Sequence, residues 1–231
     1  TAWGKAYQAV RYGESPFESA YGMPIYEYFA KNPESAGLFN EAMTALVSND
    51  NASILASYDF GQFSTLVDVG GGHGMLLSSI LTRYPHLNGV LFDQPHVVSD
   101  AEPILREAGV ETRCRTESGN FFESVPAGGD GYILSRVAHG FSDEQVVLIL
   151  KYIHQGLAQG GKLLMMEFLL EPGNRPETAR TKLMDVNMMV FAPGGRDRTQ
   201  QEYEALLQQA GFSLSRVIPT ESGIAILEAV K

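Results

Sequence analysis

Cysteine is the first scarcity. A single residue, Cys114, in 231 positions excludes an internal disulfide and any zinc site built on paired cysteines. Basic residues are also few. Seventeen Lys and Arg against 27 Asp and Glu leave a formal charge of −10, a field that repels phosphate backbones. No nucleic-acid partner is expected. Long apolar runs are missing, since none reaches the roughly 18–20 residues that a membrane span needs. No membrane partner is expected either. The five histidines are scattered, with no Cys/His spacing of a metal site, so no metal is expected. The chain begins Thr1-Ala2-Trp3, with no basic stretch leading into an apolar core, so no secretory leader is expected. Together with the lone cysteine, this gives the reducing cytoplasm as the expected compartment.

The chain has no internal repeat, charge block or long Gly/Ser linker. Its hydrophobic share of 44% and charged share of 19% are those of a folded globular chain. The pattern changes once, near residue 60. Residues 1–60 are rich in small and aromatic residues and lack Val/Ile runs. Asn32-Pro33-Glu34-Ser35 has the signature of a helix start, followed by Leu38, Phe39, Ala42, Met43 and Leu46 at helical spacing. This segment is expected to be helical and to pack on a catalytic domain spanning 61–231.

From Ser64 strands and helices alternate. Leu66-Val67-Asp68-Val69 runs into Gly70-Gly71-Gly72-His73-Gly74. Leu76, Leu77, Ile80, Leu81 and Tyr84 then mark one face of a helix. Gly89 to Asp93 is a second strand, Pro95 to Ala108 a helix, and Val110 to Arg115 a weaker strand polar enough for an edge. Gly131 to Leu134 is a fourth strand. Ser142-Asp143-Glu144-Gln145 is a capping box for a helix that Gly160-Gly161 should end. Lys162 to Leu170 is an apolar run of the kind covered on both faces. Helices are expected at 176–191 and 199–210, then two strands at 213–218 and 223–230. The alternation predicts an α/β fold with a mostly parallel sheet. The last two strands are joined too tightly for a parallel crossover and are expected to be antiparallel.

A glycine turn after the first strand of such a sheet marks a ligand site. The G-x-G-x-x-G spacing of dinucleotide binders fails, because Met75 stands where the third glycine would be. What is present is Asp68-x-Gly70-x-Gly72-x-Gly74, with Asp93 ending the next strand, where an acid can accept both hydroxyls of a ribose. This pattern, with a terminal antiparallel hairpin, resembles class I S-adenosylmethionine-dependent methyltransferases. Gly119-Asn120-Phe121-Phe122, Leu134-Ser135-Arg136-Val137-Ala138-His139, Gly194-Gly195-Arg196-Asp197-Arg198-Thr199 and Phe39-Asn40-Glu41-Ala42-Met43 narrow the resemblance to the small-molecule O-methyltransferases. That family includes plant caffeate and flavonoid enzymes and bacterial enzymes of aromatic polyketides.

The resemblance implies a Rossmann-like seven-stranded sheet, S-adenosyl-L-methionine as cofactor and a phenolic or enolic small-molecule acceptor. Asp68, Gly70, Gly72, Gly74 and Asp93 would hold the cofactor. Asn120 stands where the family usually has Asp, and its amide oxygen can still accept from adenine. Phe121 would pack on that ring. Ser135 would lie near the methionine end, or be a small residue at a strand end. Met43 would lie over the cofactor or fill the helix core. His139 aligns with the general base, and Glu167 and Asp197 with the acids that orient it. Asp197 could equally be a charge opening the next helix.

Chemistry supplies a reason for the base. A phenol of pKa about 10 is about 0.1% ionised at pH 7, a deficit of about 4 kcal/mol that an imidazole can meet. Glu167 interrupts the apolar run of the fifth strand, where an unpaired carboxylate is costly. His139-Gly140-Phe141 departs from the family's His-Asp-Trp, which weakens any assignment of substrate by analogy. The family also carries an N-terminal helical dimerisation domain of about one hundred residues. This chain would lack it, which leaves its oligomeric state open. Two other functions remain: a relative that binds the cofactor without transferring methyl, and a silent binding module.

Overall fold

The computed structural model describes residues 1–173, 179–191 and 195–231, apart from the side chains of Tyr26, 40–46 and Arg180. Helices α1 (Ala6–Tyr12), α2 (Pro16–Tyr21), α3 (Ile25–Lys31) and α4 (Pro33–Ser57) come first. Asn32 precedes Pro33 at the start of α4 as expected. Its amide does not cap that helix and donates back to Tyr28 O at 2.8 Å.

The sheet then alternates with helices: β1 (Thr65–Val69), α5 (Met75–Arg83), β2 (Asn88–Asp93), α6 (Pro95–Val98), α7 (Glu102–Glu107), β3 (Cys114–Ser118), β4 (Gly131–Ser135), α8 (Asp143–Gly156), β5 (Lys162–Phe168), α9 (Ala179–Phe191), α10 (Gln200–Gln209), β6 (Ser213–Pro219) and β7 (Ile224–Val230). The strand order is β3-β2-β1-β4-β5-β7-β6. The first five strands are mutually parallel, and β7 runs antiparallel to both β5 and β6. This is the predicted Rossmann-like sheet with its terminal hairpin.

Three local expectations are corrected. The helix expected from Pro95 to Ala108 is two short ones, α6 and α7, and Pro103 falls in the first turn of the second. The third strand begins at Cys114, later than the expected Val110, because Val110 closes the turn after α7 by donating to Leu105 O at 3.0 Å. Helix α8 ends at Gly156, before the Gly160-Gly161 pair, which instead forms the turn into β5.

The apolar run of β5 has a simple cause. Leu163 and Met165 enter a core that also holds Val146, Ile149 and Ile153 of α8. Leu164 and Met166 enter the opposite core with Leu77, Ile80 and Leu81 of α5. Both faces of the strand are buried, so alternation disappears. A third, smaller cluster joins the N-terminal helices to α9 through Phe17, Ala2 and Val190. Among the described residues, no helix is long and apolar enough to cross a membrane.

Strand β1 lies between β2 and β4, so the chain leaves it in opposite directions on its two sides. The crevice outside the carboxyl ends at such a switch point is where α/β sheets bind ligands. A separate open cavity of about 460 Å³ sits by Thr65, Asn88 and Glu111 and includes none of the expected site residues.

Candidate active site

The turn after β1 is built by left-handed backbone. Gly70, Gly72 and Gly74 have φ of 70°, 59° and 80°. Gly72 shows why the residue matters: open space surrounds its Cβ position, so a ligand can come up to the bare backbone. Asp93, at the end of β2, accepts the Gly72 N–H at 2.9 Å through Oδ2 and the Gln94 N–H at 2.7 Å through Oδ1. Sequence reasoning assigned Asp93 to a ribose alone and missed this hold on the turn. Each oxygen keeps a further lone pair for a ligand.

Asp68 is buried, and its Oδ1 has no hydrogen-bond partner among the described residues. Burial pushes its carboxyl up to about 7, the Arg136 charge opposes this, and Asp93 adds to it. Ser135 Oγ, at the end of β4, is likewise buried and unpartnered. Asn120 uses its Oδ1 to accept the Phe122 N–H at 3.0 Å and its Nδ2 to donate to Glu123 at 3.0 Å, an Asx turn that fixes the loop after β3. Met43 lies on α4 and outside the residues whose side chains are described. His73 is exposed.

Arg136 is a residue that sequence reasoning left unassigned. It has the one positive φ, 56°, among the described non-glycine residues. Its guanidinium reaches Asp50 at 3.2 Å and Asn51 at 3.2 Å, both buried on α4. Its neighbour Val137 packs beside Gly70. The N-terminal helical layer is thereby tied to the segment between the glycine turn and His139. Strain of this kind persists where surroundings over-determine it, commonly at functional sites.

His139 sits in a single turn of 3₁₀ helix after β4. Its Nδ1 lies 2.7 Å from Oε2 of Glu167, whose side chain is fully buried, while the imidazole keeps 23% of its surface exposed. Glu167 Oε1 accepts the Ala138 N–H at 2.8 Å. One carboxylate therefore holds both the ring and the backbone beside it. Burial opposes the imidazolium, but the charge and hydrogen bond of Glu167, joined by Asp197, raise His139 above its ordinary value against the opposing Arg136.

Asp197 comes to the same region and acts on the ring through its charge, without a hydrogen bond to it. It is buried, its Oδ2 has no partner among the described residues, and burial pushes it up to about 6. The His139 charge opposes that rise, while Glu167 and Asp185 add to it. Gly194, the first residue of its motif, lies outside the described residues. Arg198, read only as part of that motif, is completely buried and clamps the turn that carries His139. It donates to Ala138 O at 2.9 Å, to Phe141 O at 2.7 Å and to Asp143 at 2.8 Å. A buried arginine that bonds both ends of the turn, at Ala138 O and Phe141 O, and the first residue of α8 fixes that turn's shape.

The His-Gly-Phe departure has a visible consequence. Phe141 packs edge-on against Phe121 at 5.6 Å and Phe122 at 5.2 Å between ring centroids. Phe121 also lies beside Gly70. One aromatic cluster thus runs from the glycine turn to the turn that carries His139. Nothing stands within 4 Å of the Cβ position at Gly140.

A doubly wound sheet with a glycine turn after β1, an acid ending β2 and a carboxylate-held histidine after β4 is the arrangement of the Rossmann-like methyltransferase fold. The match of residues 3–213 to the O-methyltransferase domain family narrows this, and the chain belongs to that family. It is 41% identical to a phenazine O-methyltransferase of Lysobacter antibioticus over 99% of this chain and 66% of that protein. It is 34% identical to a mitomycin biosynthesis 6-O-methyltransferase of Streptomyces lavendulae over 96% of this chain and 62% of that one. The crystal structure of an O-methyltransferase from neocarzinostatin biosynthesis, in complex with S-adenosyl-L-homocysteine and 1,4-dihydroxy-2-naphthoic acid, matches with a TM-score of 0.87 at 29% identity. That match covers 99% of this chain and 68% of the other. The chain spans a little under two thirds of the length of these curated relatives.

Proposed function

We propose that this protein transfers a methyl group from S-adenosyl-L-methionine to a phenolic or enolic hydroxyl of a small aromatic molecule of secondary metabolism. The observation that carries this reading is the imidazole of His139 held at 2.7 Å by a fully buried carboxylate, Glu167. It stands at the end of the sheet that carries the glycine turn. The acceptors named for relatives, a phenazine and a dihydroxynaphthoic acid among them, support the aromatic class.

The residues present fit the cofactor. Gly72 leaves bare backbone in the turn, Asp93 keeps lone pairs for the ribose, and Phe121 lies beside Gly70. The unpartnered Asp68 Oδ1 and Ser135 Oγ are the polar atoms that a ligand's donors would satisfy. Asn120 would offer adenine the remaining lone pair of its Oδ1, and Met43 would line the site from α4. When bound, the cofactor supplies a methyl carbon activated by a positively charged sulfur.

The chain's own part is proton handling and positioning. With Nδ1–H donated to Glu167, the Nε2 lone pair of His139 is the atom that takes the acceptor's proton. The imidazolium so formed is stabilised by Glu167 and Asp197. Arg198 holds the turn that carries it. Residues 1–60 serve as a helical segment on the catalytic unit of 61–231, a division supported by the ties of Tyr58 to Glu228 and of Asp50 to Arg136. The single cysteine, Cys114, supports residence in the reducing cytoplasm.

Methyl-labelled S-adenosyl-L-methionine incubated with 3-amino-4-hydroxybenzoate, caffeic acid and 1,4-dihydroxy-2-naphthoate tests the reading. Label is expected in at least one phenol. His139→Ala is expected to lower that rate about 10²–10⁴-fold while affinity for S-adenosyl-L-homocysteine stays unchanged. Calorimetry that detects no binding of either sulfur compound would overturn the reading as a whole.

A further inference from the structure

We infer that Asp185 is a positioning residue for the base: its carboxylate holds the backbone of Asp197 and so fixes the acid beside His139. The inference rests on His139 being the base of the proposed reaction.

Four contacts carry it. Asp185 stands on α9, and its Oδ1 accepts the Asp197 N–H at 3.0 Å. The preceding residue, Arg196, donates its backbone N–H to His139 O at 2.8 Å. The following residue, Arg198, clamps the base turn through Ala138 O and Phe141 O. Consecutive residues of one short segment therefore bear on the base turn from both sides of Asp197. The Asp197 side chain is held differently. It is 3% exposed, and its Oδ2 has no hydrogen-bond partner among the described residues. The place of that carboxylate is set by its backbone, and the backbone N–H is anchored on Asp185.

The anchor also has a mechanical source. Helix α9 packs Val190 and Phe191 into the cluster made by Phe17, Ala2 and Tyr28 of the N-terminal helices. That cluster is separate from the two cores on the sheet faces. Asp185 converts the position of this outer layer into the position of an acid next to the base. A carboxylate here is otherwise unfavourable. Asp185 lies close to Asp197 and Glu202, and burial and the Glu202 charge raise it above its ordinary value. The Asp197 N–H and the charges of Arg196 and Arg198 oppose that rise. The hydrogen bond from the Asp197 N–H compensates this carboxylate for its partial burial.

The charged groups around His139 are Glu167 of β5, Asp197 and Arg136. Displacing Asp197 removes one group that favours the imidazolium, so the imidazole should titrate at lower pH. The readout is the His139 ring titration by NMR in the full chain, with His139→Ala identifying the resonance. Two variants separate hydrogen bond from charge. Asp185→Ala removes both and is expected to lower the His139 titration point and to reduce methyl transfer to 1,4-dihydroxy-2-naphthoate about tenfold. Affinity for S-adenosyl-L-homocysteine should not change. Asp185→Asn keeps an oxygen that can accept the Asp197 N–H and is expected to recover most of the rate.

An Asp185→Ala protein with the wild-type titration and rate would overturn the inference, as would an Asp185→Asn protein as impaired as the alanine variant. Should Asp185→Ala fail to fold, the asparagine variant decides by the same titration. Failure of the base reading is distinguishable, because His139→Ala would then keep full turnover whatever Asp185 does.

Discussion

Glu167 reaches His139 at the ring through Oε2 and holds the adjoining Ala138 N–H through Oε1, from a position with no solvent exposure. A carboxylate so buried is tolerable because both oxygens are engaged, one with a group that can become a cation. The pair is therefore a device for making the imidazole more basic.

The pH profile should report this. An imidazole accepts a proton only when it is neutral, and its pKa here is raised above the ordinary 6.5. The acid limb of kcat/KM is expected above that value, with the rate falling as pH drops through it. Glu167→Gln removes the stabilising charge, so the limb should move to lower pH and the plateau should fall. That loss should be smaller than for His139→Ala. Alkaline pH should rescue it less well, since the ring is misaligned and not absent. A limb that stays in place in Glu167→Gln would show that the carboxylate does not tune the base.

Cofactor binding should move a proton at Asp68. Its carboxyl is raised to about 7 by burial, with Asp93 adding and Arg136 opposing. A cationic ligand group beside it would favour the ionised form and release the proton. Calorimetry with S-adenosyl-L-methionine at pH 7, in two buffers of different ionisation enthalpy, should show fractional proton release. Asp68→Asn should abolish the difference. Identical heats in both buffers for the unmodified protein would place the ligand's charge elsewhere.

The acid limit of stability should lie with Glu228 on β7, opposite Leu164 and outside the candidate site. Its buried carboxylate accepts from Tyr58 at 2.6 Å, Arg216 at 2.9 Å, Lys162 at 3.3 Å and Ser215 at 3.2 Å. Burial alone would raise it, but these bonds and charges outweigh burial and hold it at about 2, below its ordinary 4.5. A depressed carboxyl contributes stability that is complete above the unfolded value and is lost as pH falls from about 4.5 toward 2. Glu228→Gln is expected to cost about 2–3 kcal/mol near neutral pH and to flatten this acid-side loss. Urea unfolding at pH 7 and pH 3 measures both. Equal slopes for the two proteins would remove Glu228 from the account.

Much of this was legible along the chain because its causes are local. The capping box at Ser142 and Gln145 forms as its spacing demands. The turn at Gly70, Gly72 and Gly74 takes the left-handed backbone that only glycine adopts freely. Glu167 stood out because a charge in a doubly buried strand must have a partner nearby. Val110 was misassigned because a β-branched residue suits a strand, yet here it closes a turn against Leu105 O.

Composition and order in the chain determined the α/β alternation and the glycine turn and singled out His139 and Glu167 as the proposed base and its acid, since each rests on a residue type at a fixed offset from a strand or helix end. Only the tertiary structure decided that Asp185 anchors Asp197, that Arg198 clamps the His139 turn, and that Arg136 is held by Asp50 and Asn51. These partners lie 12 to 86 positions apart and share no periodicity. What joins them is burial: once the sheet is covered on both faces, polar groups left inside must find one another, and which do so depends on how the layers meet.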